Sequence, residues 1–114
     1  MSDSIRQNIR GVLELFASFD AQREYQQAVP SISVPIELCC QWADDLYHPD
    51  TVPFQQTFSE PERDALVTFN HAFERATATL PDTPRDVTAF SMTQQARELA
   101  QAAALALACL AARN

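Results

Sequence analysis

Residues 59–80 read SEPERDALVTFNHAFERATATL, and the first four of them open a helix. Ser59 can accept a hydrogen bond from the N–H three residues on, Glu62 stands where it can return one to the Ser59 N–H, and Pro61 falls in the first turn, where a missing N–H is harmless. Beyond them Ala65, Leu66, Phe69, Phe73, Ala76 and Leu80 recur every three or four residues, the spacing of one buried helical stripe. The spacing predicts a helix to about Leu80, stopped by Pro81-Asp82-Thr83-Pro84.

The same period extends outward in both directions. Ile5, Ile9, Val12, Leu13, Phe16 and Phe19 predict a first helix from about Ser4 to Tyr25, with Asp3 as its N-cap. Gly11 costs that helix about 1 kcal/mol relative to Ala unless a neighbour packs closely against it. A second helix is expected from about Pro35 to Tyr47, its core face made of Ile36, Cys39, Cys40, Ala43 and Leu46 or Tyr47. His48 to Phe58 holds two prolines and no period, so an ordered loop is expected. Thr83-Pro84-Arg85-Asp86 predicts a short helix through Phe90. Ser91 to Gln94 then opens a last helix from Met92 to about Ala112, with Ala96, Leu99, Ala103, Ala106, Leu107 and Leu110 inward.

A single Gly in 114 residues, with no Asn-Gly or Asp-Gly pair, leaves β-hairpins without their turns. The expected fold is therefore all-α: one domain spanning residues 1–114, an antiparallel bundle of four main helices plus one short one. A chain of this length can bury roughly two-thirds of the surface it exposes when unfolded. The most apolar segment, Leu99 to Ala112, falls short of the ~20 residues of a membrane span. The N-terminus carries no basic run followed by an apolar stretch, so no secretory leader is expected and the expected compartment is the cytoplasm. Cys39, Cys40 and Cys109 cannot pair evenly and read as reduced core residues.

Charge is distributed unevenly. The chain has eight Arg, no Lys and fifteen carboxylates, and the segment from Glu37 to Asp64 holds seven of these acids against one base, Arg63. That segment carries net −6 of the chain's −7. Such a balance argues against direct contact with nucleic acid or an anionic membrane and points to a positively charged protein. Interleaved aromatics suit a surface that first steers and then holds such a partner. The candidate binding residues are Trp42, Asp44, Asp45, Tyr47, Asp50, Glu60, Glu62 and Asp64, and Trp42 is equally open to a core reading.

Chemistry-bearing constellations are sparse. Asp44 and His48 have a spacing compatible with one metal, but one ligand pair falls short of the three or four a metal site needs. His48 reads better as an imidazole interacting with the carbonyl end of its helix. Asp44 and Asp45 are successive helix residues, about 100° apart, and cannot flank one substrate atom as acid and base. Cys39 or Cys40 with His71 is the remaining nucleophile–base combination, and surrounding negative charge does nothing to lower a thiol pKa. The expectation is a protein that is not an enzyme, with no metal and no cofactor.

The run Val34-Pro35-Ile36-Glu37-Leu38-Cys39-Cys40-Gln41-Trp42-Ala43-Asp44-Asp45-Leu46-Tyr47-His48-Pro49, with Phe58-Ser59-Glu60-Pro61-Glu62 and the Phe69 to Leu80 helix, resembles small bacterial proteins encoded beside polymorphic toxins. The nearest group is the immunity proteins of contact-dependent growth inhibition systems. The likeness covers about Val34 to Leu80 and is one of spacing and residue types, with no catalytic motif from which a residue's role could be transferred. It implies a cytosolic, non-catalytic protein that binds one cognate toxin C-terminal domain and blocks it. Many such toxins are nucleases with basic clefts, where carboxylates can take the place of phosphates. The alternative class is a non-catalytic helical adaptor or homodimerising regulatory module.

Overall fold

A computed structural model describes residues 2–80 and 82–111, with side chains from Ser4 onward. The described residues are all helix and connection, without a strand: α1 (Ser2–Ala17), α2 (Phe19–Ala28), α3 (Val34–Cys40) running on into a π-helical turn (Gln41–Leu46), α4 (Val52–Thr57), α5 (Glu60–Thr79), α6 (Val87–Ser91) and α7 (Gln94–Ala111). The all-α expectation is met, and the three long helices α1, α5 and α7 form the frame. Cys109 Sγ lies 3.7 Å from the Pro61 carbonyl oxygen, while Gln95 Nε2 donates to Thr79 Oγ1, so α5 and α7 run antiparallel. The expected Asp3 cap rests on a side chain outside the described residues, as do Pro81 and Ala112.

The expected first helix is two. Ser18 adopts extended backbone and its Oγ accepts from the Ala21 N–H at 3.1 Å, capping α2. Buried Gln22 donates from Nε2 to the Leu15 carbonyl at 2.9 Å, satisfying one of the carbonyls that the end of α1 leaves open. The chain then returns through a latch on Gln26. Its amide donates to the carbonyls of Val29 and Ile32 and accepts from the N–H of Val34, the first residue of α3 after its N-cap Ser33.

The expected core face of α3 is corrected. Val34, Leu38 and Trp42, four residues apart, are buried, whereas Cys40 and Ala43 are exposed. The π turn follows from Trp42: the Tyr47 N–H bonds the Trp42 carbonyl at 3.0 Å, five residues back. In an α-helix those five residues turn about 500° and would leave Tyr47 some 140° away from Trp42. In the wider turn the two rings stack, with centroids 4.8 Å apart and planes 12° from parallel.

The expected loop also contains a helix. Pro53 occupies the first turn of α4, and Phe54 and Phe58, one turn apart, are buried with ring centroids 5.0 Å apart. Arg63 closes its far end by donating to the carbonyls of Gln55 and Phe58. The capping box of α5 forms as expected, with both reciprocal bonds present. At the next junction the caps move: Asp86, not Thr83, caps α6, and Thr93 Oγ1 accepts from the Ala96 N–H to cap α7, while Ser91 Oγ bonds back to Thr88.

One aromatic chain passes through the core. Phe16 of α1 meets Phe69 and Phe73 of α5, Phe69 meets Trp42 edge-on at 4.7 Å, and Tyr47 meets Phe54 at 5.7 Å. At the opposite end of the frame Arg6 of α1 pairs with Glu62 of α5 through two bonds, donates to the Leu110 carbonyl of α7 and lies over the Phe58 ring. This one guanidinium ties the three long helices together.

Candidate protein-binding surface

Two of the eight expected binding residues belong to the interior. Trp42 is 0% exposed and its Nε1–H donates to Asn70 Oδ1 at 3.0 Å, so it is a core residue with its polar atom satisfied. Glu62 is 2% exposed and is committed to Arg6 and to the Ser59 N–H. A carboxylate that serves as half of a capping box faces back into the chain, and here the partly buried Arg6 holds it there.

The other carboxylates reach solvent. Asp44, Asp45, Asp50, Glu60 and Asp64 are exposed, and none has an ion-pair partner among the described residues. Arg63, the base of this segment, directs its guanidinium at the end of α4. Tyr47 is half-buried, one ring face against Trp42. Its phenol is pushed above its ordinary pKa of 10.0, first by burial and then by the negative charges of Glu74 and Asp50.

Glu74 is the surface carboxylate that a reading confined to Glu37–Asp64 misses. The signal for it was the period of α5: Glu60, Asp64, Val67, His71 and Glu74 follow at steps of four, three, four and three, and all five are exposed. They form the outward ridge of α5, about 21 Å long at 1.5 Å per residue. Asp50 and Glu74 both act on the Tyr47 phenol through their negative charge. Asp45 faces elsewhere, into a shallow depression shared with Asn8 and Val12 of α1 and with Gln41 and Leu46.

No family model, curated protein or solved structure matches this chain.

The remaining constellations resolve into ordinary structural contacts. The His48 Nε2–H donates to the Asp44 carbonyl at 3.0 Å, the helix-end interaction expected of it. Among the described residues no three metal-ligating side chains come together. Cys39 is half-buried and its thiol is raised to about 11, chiefly by burial and then by Cys40, against an opposing hydrogen bond with Thr83. That is the reverse of the shift that activates a nucleophile. Cys40 is exposed, which corrects its assignment to the core. No described helix is long and apolar enough to cross a membrane. What the arrangement can do is present to a cationic surface negative charge that is not ion-paired among the described residues.

Proposed function

We propose that this protein is a non-enzymatic inhibitor of the immunity-protein kind, which binds a cognate toxin C-terminal domain, a basic nuclease, and neutralises it in the cytoplasm. The observation that carries this reading is the set of exposed carboxylates without ion-pair partners among the described residues, on α5 and around the π turn, next to a core that already consumes Trp42 and Glu62. An unpaired single-sign field accelerates encounter with an oppositely charged protein. The test is co-expression with the product of the adjacent upstream gene. A toxin-like C-terminal domain that kills cells alone is expected to be tolerated when this protein is present, and continued killing would sink the proposal.

A second reading, a helical adaptor or homodimer, draws on the outer face of α7. Leu105 is 73% exposed at the rim of a groove between α5 and α7 lined by Ala65, Thr68, Ala72, Arg75 and Ala102. Light scattering decides this one: a monomeric mass over a concentration series removes the homodimer.

A further inference from the structure

Gly11 sits in the middle of α1, where Gly costs about 1 kcal/mol relative to Ala, and the fold provides no reason for it. It does not have positive φ, and a Cβ built on it meets nothing within 4 Å. The missing side chain therefore serves no contact inside the molecule. It does shape the surface: Gly11 lies in a shallow depression of about 300 Å³ with Gln7, Asn8 and Leu15 of α1 on one side and Tyr25 and Gln41 on the other. Gly is the residue that lets another backbone approach closely.

Among the described residues no charged side chain lines this depression itself, and acids stand at its margins. Asp45 lines its continuation past Asn8 and Gln41. The Glu37 carboxylate accepts from Gln41 Nε2 at 3.2 Å, and Glu14, one turn beyond Gly11, is exposed with only a 3.9 Å contact to Arg10. Amide side chains along the floor can bond to a passing backbone or to polar side chains. We infer that a cationic segment of the protein partner lies in this depression, with its backbone crossing α1 at Gly11 and its basic side chains directed to Asp45 and Glu37. The inference rests on the proposed function and gives the partner's closest approach, on the α1 side to which Asp45 faces.

The test compares wild type, Gly11→Ala and Gly11→Leu in thermal unfolding and in binding kinetics with the toxin-like C-terminal domain of the adjacent upstream gene product. Because the space above Gly11 is open, both substitutions are expected to unfold no earlier than wild type. Gly11→Leu should weaken binding by about tenfold or more, as overpacking of a tight contact does, mainly through faster dissociation. Gly11→Ala, which cannot disturb the fold, should weaken it in the same direction by a smaller factor. Wild-type affinity in both variants would overturn the inference and leave the acidic-surface proposal standing. A wild-type protein that fails to bind the domain would overturn both.

Discussion

Trp42 makes two ring contacts and one hydrogen bond from a position with no solvent access, so removing it empties the centre of the aromatic chain. Trp42→Ala should cost about 3 to 5 kcal/mol of stability, read as a fall in the denaturation midpoint. A variant that unfolds like wild type would show that Trp42 is not packed as described. Glu62 behaves as an interior residue for a different reason. Glu62→Gln removes the charge that holds Arg6 across α1 and α7, and because Glu62 is buried while Arg6 is only partly so, the loss should be about 1 to 3 kcal/mol. Cys39 adds a pH dependence. Its thiol, ordinarily at 9.0, is raised to about 11, so its contribution to stability is whole below about 9 and is lost as pH rises through about 11. Tyr47, also raised, acts with the same sign, its contribution being whole below its ordinary 10.0 and lost as pH rises beyond it. A urea midpoint that falls over this window in wild type, and falls less in Cys39→Ala, is the expected result; identical profiles would refute the assignment to Cys39.

At the scale of the element, the most local signal was the most legible. The α5 capping box uses four consecutive residues and nothing else, and both of its bonds form. Ser59→Ala should therefore lower stability by about 1 kcal/mol, and coincident denaturation midpoints would contradict the cap. Signals that repeat nearby were less decisive. Ser91 and Thr93 both precede a plausible helix start, and only packing selects Thr93. The apolar period of α1 continues through Phe19, which hid the break that Ser18 makes. On α3 two apolar stripes compete: Ile36-Cys39-Cys40-Ala43 and Val34-Leu38-Trp42. The second wins because it buries the largest ring, and the chain widens to a π turn to bring Tyr47 with it. α4 was masked by two prolines, although only Pro53 lies inside it, in the turn where Pro is tolerated.

At the scale of the whole molecule, a run of charge along the chain is not the same as a charged surface. Folding takes Glu62 out of the acidic segment, adds Glu74 from outside it and turns Asp45 toward α1, and none of these can be read from linear spacing alone. What was legible was the excess itself, because carboxylates without bases nearby must stay in solvent or find a buried partner. This sorts the carboxylates into two groups with opposite expected behaviour. Replacing Asp44, Asp45 and Asp50 together by Asn should slow association with a basic partner domain and flatten its salt dependence. These charges are exposed, act over the ~8 Å screening length of physiological salt and are not ion-paired within the described residues. Stability should change little. Glu62→Gln should do the reverse, lowering the denaturation midpoint while the association rate of the folded fraction stays near wild type. Association kinetics over a salt series, measured for both variants with the adjacent gene's toxin-like domain, separate the two. If the triple variant associates at the wild-type rate with the wild-type salt slope, the exposed carboxylates serve only to solvate the surface, and the partner docks elsewhere.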